Sequence, residues 1–307
     1  MTKRNVLVFG GSGQVGWELR HQFGRLGQID GIESPRVDFS HPDAIRKAVR
    51  EAQPAFILNA AAYTAVDKAE SEPELAAAIN AIAPGILAEE AKRLGSMLIH
   101  YSTDYVFDGT KSGSYLETDT PNPLNVYGRT KLAGDEAIQS VGGDYLILRT
   151  SWVYGSRGSN FLLTMLRLAA ERTELRIVDD QLGAPTSSAS IARATAEILS
   201  PLLSTPQAGL SGRSGIYNLT NAGATTWFGF AKAILTAQFA ITGSPIPHLV
   251  PIKTSEFPRP AKRPANSRLS CQRLEQTFGV TLPHWEYALS LVLDTLTEGS
   301  SPVSSKV

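Results

Sequence analysis

The stretch NVLVFGGSGQVG, residues 5–16, decides the fold of this chain. Its apolar beginning predicts a short buried β-strand, and a helical pattern over residues 14–26 follows. Between strand and helix, three glycines have the spacing G-x-x-G-x-x-G, which lets a backbone approach a pyrophosphate beside the free N–H groups of a helix start. The stretch therefore predicts a dinucleotide site. Its candidate residues are Gly10, Gly13, Gln14, Val15 and Gly16.

Alternating strands and helices continue through the first half of the chain. Apolar runs predict four further strands at residues 28–33, 55–59, 97–102 and 144–150. Right-handed crossovers between such strands give an α/β fold, a doubly wound parallel sheet of the Rossmann type. We expect a dinucleotide-binding core over residues 1–150, to which later segments such as 174–200 return. A smaller substrate-binding lobe mainly over 151–296 and a disordered tail over 297–307 complete the expected domains.

The composition argues against several classes of partner. Basic and acidic residues balance at 29 each among 307 residues, so nothing points to nucleic acid or an anionic membrane. No apolar run approaches the roughly 18 residues of a membrane span, and a strand pattern from residue 5 leaves no room for a signal peptide. The single cysteine, Cys271, rules out an internal disulfide. We therefore expect a cytoplasmic protein.

Two segments around the fourth predicted strand carry the chemistry. The strand ends at Thr103, and Tyr127 and Lys131 follow on a predicted helix, four residues apart. That spacing places the phenol and the ammonium on one helix face, where the Thr103 hydroxyl can meet them. We predict that Tyr127 is the general acid for a carbonyl oxygen that Thr103 orients. Lys131 would hold a nicotinamide ribose and lower the pKa of the phenol toward neutral pH. These roles are typical of a nicotinamide-dependent carbonyl reductase.

Further residues near the carboxyl ends of the strands are candidates for cofactor contact. Glu33 ends the second strand, where an acid can bond the adenosine ribose of NADH, but Arg36 could instead pair with the 2′-phosphate of NADPH. The choice between NADPH and NADH stays open. Asp38 and Phe39 could flank the adenine. Small residues after the third strand would let the cofactor lie against the backbone. The remaining candidates are Ala60, Ala61, Ala62, Tyr63, Thr64 and Tyr101.

These residues resemble the extended short-chain dehydrogenase/reductase superfamily, and longer segments resemble its dTDP-4-dehydrorhamnose reductase family. The segments are NAAAYTAVDKAESEP (59–73), HYSTDYVFDG (100–109), PLNVYGRTKLAG (123–134), RTSWVY (149–154), DDQLGAPT (179–186) and RPANSRL (263–269). The resemblance implies hydride transfer from NADPH or NADH to the C4 ketone of dTDP-4-dehydro-6-deoxy-L-mannose, which gives dTDP-L-rhamnose. It also implies a dTDP-sugar site lined by Val66, Thr103, Asp104, Trp152 and Arg268.

Other functions stay open beside this one. Dehydratases of the superfamily carry Thr-Asp-Glu where Tyr105 follows Asp104 here, and Tyr105 offers no carboxylate for an elimination. A non-catalytic NADP-binding subunit, similar to the regulatory subunit of methionine adenosyltransferase, is one alternative. A reductase or epimerase of another nucleotide sugar is the second. The acidic residues Asp67, Glu70 and Glu72 are interpreted as a solvated helix start.

The resemblance also bears on whether the protein binds a metal ion and whether it forms a dimer. Some relatives are dimers with Mg²⁺ held by carboxylates of both chains, and Glu18 and Glu286 lie at matching places. Residues 187–190 (SSAS) lack the glutamate that such relatives place there. Because a divalent ion of this kind needs several oxygen ligands, we expect no metal and either a monomer or a homodimer.

Overall fold

A computed structural model describes residues 5–25, 31–33, 36–204 and 209–298. The strands are β1 (Asn5–Phe9), β2 (Gly31–Glu33), β3 (Phe56–Asn59), β4 (Met97–Thr103), β5 (Tyr145–Thr150), β6 (Val153–Tyr154), β7 (Glu174–Val178), β8 (Leu182–Gly183), β9 (Thr186–Ser187), β10 (Gly215–Asn218), β11 (Thr225–Thr226) and β12 (His248–Ile252). The helices are α1 (Gln14–Gly24), α2 (Pro42–Ala52), α3 (Val66–Ala69), α4 (Pro73–Ala77), α5 (Ala83–Leu94), α6 (Val126–Val141), α7 (Phe161–Glu171), α8 (Ser188–Ser204), α9 (Trp227–Thr242), α10 (Gln272–Phe278) and α11 (Trp285–Glu298). A π-helical turn spans Ala78–Ile82, and 3₁₀ turns span Asp104–Val106 and Thr254–Glu256.

The central sheet has six parallel strands in the order β2–β1–β3–β4–β5–β10. The predicted doubly wound α/β fold is therefore confirmed. The strand order reverses between β1 and β3, and such a switch point opens a crevice at the carboxyl ends of the strands. The turn after β1 and the segments after β3 and β4 all begin at this edge, so the fold brings the predicted site segments together.

Helices cover both faces of the sheet because the strands are apolar on both sides. Leu19 and Phe23 of α1 and Ile191 of α8 pack on one face. Ile45 of α2 and Ile138 of α6 belong to the cluster on the other. A separate apolar cluster joins α7, α9 and α11 in the second half of the chain. In the part of the chain that the structure describes, no helix is long and apolar enough to cross a membrane.

The second half departs from the expected arrangement in three places. β7 pairs with β12 in a separate two-stranded sheet, so within residues 174–200 the return to the core is made by α8. β10, expected in the lobe, pairs with β5 and completes the central sheet. α11 continues to Glu298, because Val292 and Leu293 hold it on the lobe, and the tail boundary at residue 297 is wrong. Residues 299–307 lie outside the described residues, as do residues 28–30 of the second predicted strand.

A buried carboxylate joins α2 to α5. Glu90 is 2% exposed and accepts hydrogen bonds from Arg50 at 2.6 and 3.0 Å and from Arg93 at 2.7 and 2.9 Å. The Arg50 and Arg93 guanidinium groups lower the pKa of the Glu90 carboxyl from 4.5 to about 2. Because the pKa is lower in the folded state, this stabilisation is present above about pH 4.5 and is lost as the pH falls through about 2.

We expect Glu90→Gln to lower the free energy of unfolding by about 1–3 kcal/mol at pH 7, because the guanidinium groups of Arg50 and Arg93 lose their buried charge partner. Urea unfolding at pH 7 and at pH 3 measures the effect, which shrinks at the lower pH. Glu89→Gln is the matched control. Glu89 is 51% exposed and pairs with Arg46 at 2.8 Å, so its loss costs under about 0.5 kcal/mol. Equal losses in the two variants would contradict the prediction.

Candidate active site

The glycine-rich turn forms a tight cradle between β1 and α1. Gly10 has a φ of +73°, and a Cβ there would lie 2.6 Å from the backbone of Ala60. A Cβ on Gly16 would lie 2.2 Å from the Gly10 carbonyl oxygen, so the third glycine lets α1 begin directly above the turn. The Gly13 N–H donates to the Gly10 carbonyl at 2.9 Å and closes the turn. This geometry fits a pyrophosphate at the N-terminus of α1.

Gly10→Ala should disrupt this cradle. The added methyl group combines an unfavourable left-handed backbone with a clash against Ala60, so we expect cofactor affinity to fall more than about tenfold. Gly95→Ala is the matched control, because Gly95 has a φ of +67° but nothing within 4 Å of its Cβ position. Titration of both variants with NADPH, together with thermal unfolding, separates backbone strain from loss of the site. Wild-type affinity in Gly10→Ala would count against a cofactor at this turn.

The segment after β3 lies beside the cradle and is held by a residue that the sequence did not indicate. Ala60, Ala61 and Ala62 are half-buried and Thr64 is exposed. The Tyr63 N–H donates to Asn80 Oδ1 at 2.9 Å, and Asn80 Nδ2 donates to the Tyr63 carbonyl at 3.1 Å. Asn80 lies in the π-helical turn, which no local sequence pattern announces. It fixes the predicted cofactor segment from the helix side.

The remaining cofactor candidates of the turn and of β4 also make contacts within the protein. Gln14 Oε1 accepts a hydrogen bond from Asn160 Nδ2 at 3.0 Å. Val15 packs against the apolar cluster that contains Leu19 of α1 and Ile191 of α8. The Tyr101 hydroxyl lies 2.9 Å from Thr195 Oγ1 on α8. That hydroxyl therefore points away from α6, whereas the Tyr101 carbonyl lies on the side of the catalytic candidates.

The candidates for adenine contact are spread between core and surface. The side chain of Glu33 lies outside the described residues, although its backbone pairs with Leu7. Asp38 is exposed, and hydrogen bonds from Ser40 lower the pKa of its carboxyl. Phe39 is buried edge-on against Phe9, with ring centroids 5.3 Å apart. Their contacts with adenine stay predictions.

Thr103, Tyr127 and Lys131 converge at the carboxyl end of β4. The Asn125 side chain caps α6 by accepting a hydrogen bond from the Gly128 N–H at 2.8 Å, which starts the helix immediately before Tyr127. The Thr103 side chain lies close enough to the Tyr127 hydroxyl to influence the pKa of the phenol. Lys131, one turn further along α6, is 1% exposed. The structure thus brings the three predicted catalytic residues together.

Burial sets the protonation of the phenol and of the lysine. It raises the pKa of Tyr127 to about 12, against the opposing effect of the neighbouring Thr103 side chain. It lowers the pKa of Lys131 to about 8, against the opposing charge of Asp135. The prediction that Lys131 lowers the pKa of the phenol is therefore wrong for this structure. The Lys131 Nζ atom instead donates to the Tyr101 carbonyl at 2.7 Å, and the loss of water dominates at Tyr127.

Asp104 presents an unsatisfied carboxyl oxygen beside the triad. Thr103 Oγ1 donates to Asp104 Oδ1 at 3.2 Å, while Oδ2 is buried and accepts no hydrogen bond within the described ranges. Burial raises the pKa of this carboxyl to about 7. Since an unpartnered buried polar atom costs free energy, a polar ligand group at Oδ2 would be favourable.

Trp152 forms one wall of the lobe with a second indole. Its φ of +48° is unusual for a large side chain, and its ring stacks on Trp227 at a centroid distance of 3.6 Å. A Cβ on Gly183 would lie 2.5 Å from the Trp152 ring, so glycine is needed below it. Trp227 is fixed in turn by its Nε1–H, which donates to Gln181 at 3.1 Å. No local sequence pattern pairs Trp227 with Trp152, because the two residues are 75 positions apart in the chain.

The acidic side chains after β3 form hydrogen bonds and an ion pair with other segments near the site. Arg263 pairs with Asp67 through two bonds of 2.7 and 2.8 Å, and Glu70 accepts from the Val126 N–H at 2.7 Å. The Tyr63 hydroxyl donates to Glu72 at 2.6 Å. The interpretation of this cluster as a solvated helix start is therefore wrong.

Two predicted substrate residues lie on either side of these loops. Val66 is half-buried at the start of α3, next to Asp67. Arg268 lines a cavity of about 490 Å³ together with Ala184 and Asn221, and its Nε donates to Asn266 at 3.0 Å. None of the three triad residues is among the walls of this cavity. Arg268 is thus placed in a neighbouring cavity, and its contact with substrate stays a prediction.

Glu18 and Glu286 do not form a metal cluster in this chain. Within residues 5–25, 31–33, 36–204 and 209–298, no three His, Cys, Asp or Glu side chains are arranged to hold an ion. Glu286 lies 3.5 Å from His284. Burial raises the pKa of Glu18, against the opposing charge of Arg157.

Known proteins are similar to this chain along most of its length. The chain matches the family model of the RmlD substrate binding domain over residues 4–298. It is 48% identical over 297 residues to the dTDP-4-dehydrorhamnose reductase of Burkholderia thailandensis, covering 95% of this chain and 99% of that protein. The chain belongs to the dTDP-4-dehydrorhamnose reductase family. The predicted family resemblance is thereby confirmed.

Two further members of the dTDP-4-dehydrorhamnose reductase family support this assignment. The Escherichia coli K12 protein of that name is 44% identical over 298 residues, with 95% of this chain and 98% of the relative covered. A 2.65 Å crystal structure of the Bacillus anthracis reductase in complex with NADP superposes with a TM-score of 0.84. That structure is 34% identical and covers 96% of this chain and all of its own.

Proposed function

We propose that this protein reduces the C4 ketone of dTDP-4-dehydro-6-deoxy-L-mannose to the hydroxyl group of dTDP-L-rhamnose. The observation that carries the proposal is the convergence of Thr103, Tyr127 and Lys131 beside the glycine cradle, in a chain whose relatives carry the name of this reductase. NADPH or NADH supplies a hydride when bound. The protein must therefore hold the cofactor, orient the ketone and give a proton to its oxygen.

Tyr127 is the proton donor in this mechanism. With a pKa of about 12, the phenol keeps its proton at neutral pH and is ready to give it to a stronger base. The C4 oxygen becomes such a base as the hydride reaches C4, so the proton passes from Tyr127 to that oxygen. Thr103, which lies beside Tyr127, orients the carbonyl next to the phenol. Solvent afterwards returns a proton to the phenolate.

The cradle and Lys131 hold the cofactor. Gly10 and Gly16 leave no room for a Cβ, which suits a turn that must lie against a pyrophosphate. Lys131 has three N–H groups, of which one reaches the Tyr101 carbonyl and a second faces His100. The third is left for the nicotinamide ribose. The NADP bound to the Bacillus anthracis relative supports NADPH as the cofactor of this protein, and NADH stays the alternative.

The sugar nucleotide lies between the triad and the lobe. Asp104 Oδ2 would accept a hydrogen bond from a sugar hydroxyl, which satisfies its buried and unpartnered oxygen. The Trp152 indole would contact the deoxysugar or the thymine through its apolar ring, and Val66 would add an apolar contact. Arg268 would reach the diphosphate as a bidentate cation.

A coupled assay tests the function. dTDP-4-dehydro-6-deoxyglucose is mixed with a 3,5-epimerase and this protein, and NADPH and NADH are supplied in separate reactions. We expect loss of the reduced-nicotinamide absorbance only when the epimerase is present, with dTDP-L-rhamnose as the product. Cofactor binding without consumption would instead support a regulatory NADP-binding subunit, and turnover of a different nucleotide-sugar ketone would support the second alternative.

We also propose that the protein works in the cytoplasm as a monomer or a homodimer. Cys271, the single cysteine, is half-buried, and Thr220 N–H lies 3.3 Å from its Sγ atom, which suits a reducing compartment without disulfides. Light scattering of the purified protein decides between the two oligomeric states.

A further inference from the structure

A buried histidine lies directly behind Lys131. His100 is 1% exposed on β4 and is paired in register with Asn59 of β3. Because side chains alternate along a strand, His100 and Ser102 point to the same side, toward α6. There His100 Nε2 lies 3.0 Å from Lys131 Nζ, and Ser102 Oγ donates to Asp135 at 2.9 Å. Two polar contacts, one helical turn apart, therefore join β4 to the helix that carries the triad.

On its other side, the His100 ring contacts Asn59, the residue directly before the predicted cofactor segment. The Asn59 carboxamide lies 3.0 Å from His100 Nδ1, and Asn59 Oδ1 accepts from the Ala61 N–H at 3.3 Å. Ala61, Asn59, His100 and Lys131 thus form one polar row, named here the lysine row. It begins at the segment after β3 and ends at the proposed ribose-binding lysine. Both of its middle members are fully buried, so water does not compete for these bonds.

We propose that His100 is a positioning residue for Lys131, and that its tautomer follows the charge of the lysine. The inference rests on the proposed function, because it gives Lys131 the ribose-binding role. Lys131 is a long and flexible side chain with many rotamers in water. The Tyr101 carbonyl fixes one of its N–H directions, and His100 fixes a second. Two fixed directions leave only one orientation for the third N–H, which points it at the cofactor.

Two hydrogen-bond patterns are available to the lysine row. When Lys131 is an ammonium group, His100 Nε2 accepts, and Nδ1–H donates to the carboxamide oxygen of Asn59. For this pattern the Asn59 carboxamide turns over and gives up its 3.3 Å bond with the Ala61 N–H. When Lys131 is an amine, Nε2–H donates to its nitrogen, Asn59 donates to Nδ1, and the Ala61 N–H donates to the Asn59 oxygen. His100 stays neutral in both patterns, because burial and the neighbouring Lys131 hold its pKa well below 6.5.

Few charged groups surround Lys131 among the residues that the structure describes. A change in the pKa of Lys131 can therefore be assigned to the loss of His100. Asp135 acts on the lysine from α6, and Arg149 of β5 donates to Asp135 at 3.2 Å. His100 is the titratable group of β4 at this point. Because the ring accepts a hydrogen bond from the ammonium form, its removal disfavours that form and lowers the pH at which Lys131 loses its proton.

The test compares His100→Leu, His100→Gln and Lys131→Met in the coupled assay. We expect His100→Leu to raise KM for NADPH and to lower kcat/KM roughly 10- to 100-fold, with the basic limb of the pH profile shifted to lower pH. His100→Gln keeps an acceptor and should recover most of this loss. Asn59→Ala, which leaves His100 in place, should act in the same direction by roughly 3- to 10-fold. Asn59→Ala therefore still tests the positioning role of His100 if His100→Leu does not fold.

The double variant His100→Leu/Lys131→Met separates positioning from a general structural role. If His100 acts through Lys131, the double variant is no slower than Lys131→Met alone. Ser96→Ala is the control for a lost buried contact, since Ser96 Oγ donates to the Pro54 carbonyl at 2.6 Å at the opposite end of β4. It should keep wild-type kcat and pH profile.

Two results would overturn the positioning role: a wild-type pH profile in folded His100→Leu, or additive losses in the double variant. Wild-type KM and kcat in Lys131→Met would overturn the proposed role of the lysine instead.

Discussion

Replacement of Tyr127 by phenylalanine is expected to lower kcat by roughly 10²- to 10⁴-fold, the range of a lost general acid. The substitution removes only the hydroxyl, whose proton has no other donor of similar placement in the proposed mechanism. The ring stays edge-on to Tyr105, with centroids 5.5 Å apart, so the fold is kept. Affinity for NADPH should stay within about twofold, because the phenol contributes little to cofactor binding before reaction. Steady-state assays and NADPH titration measure the two quantities.

Tyr105→Phe is the matched control for this variant. It removes a hydroxyl from the neighbouring ring, and burial raises the pKa of that phenol as well. Tyr105 has no role in the proposed proton transfer, so kcat should fall less than about tenfold. Near-wild-type turnover in Tyr127→Phe would remove Tyr127 from the mechanism, and equal losses in both variants would point to packing instead of proton donation.

Lys131→Met is expected to raise KM for the cofactor and to lower kcat, with a combined loss in kcat/KM of about 100-fold or more. Methionine matches the length of the lysine but has no N–H group for the ribose or for the Tyr101 carbonyl. The fold should survive, because Asp135 keeps its bonds with Ser102 and Arg149. Lys92→Met is the control, since Lys92 Nζ donates to the Val141 carbonyl at 2.7 Å on the surface.

The titration of Lys131 should give the activity a pH dependence. Burial lowers the pKa of Lys131 to about 8, and its ammonium form is the one that binds the ribose. Because the ammonium form is present below this pKa, kcat/KM of the wild type should fall as the pH rises through about 8. Lys131→Met lacks this titration and should show no such limb. A wild-type profile that stays flat from pH 7 to about pH 9 would contradict the assignment.

The sequence predicted the parts of the site that depend on local spacing. Gly10 and Gly16 flank one turn, and Tyr127 and Lys131 share one helix face, so adjacent residues determine both geometries. Thr103 joins them because strands of a parallel sheet end at one edge. The presence of the first five strands in one parallel sheet followed from the same alternation of strand and helix.

Long-range contacts account for what the sequence did not predict. Trp227 stacks on Trp152, and Asn80 reaches Tyr63 from a π-helical turn, which no spacing rule encodes. The shift in the pKa of Tyr127 was missed in direction, because it depends on how much water the folded chain removes. Pairing of β7 with β12 depends on which strand edges are free, a property of the assembled fold.

The bonds that close the loop at residues 261–263 over the site have a consequence for synthesis of the chain. Arg263 and Asp67 are 196 residues apart in sequence, and Asn125 bonds the Lys262 carbonyl across 137 residues. Contacts this distant form late, because the intervening chain must be ordered first. A nascent chain that has not yet delivered Arg263 from the ribosome already contains the glycine turn and the triad. We therefore expect the proposed nicotinamide-binding core, which β10 completes, to fold before Arg263 fastens this loop.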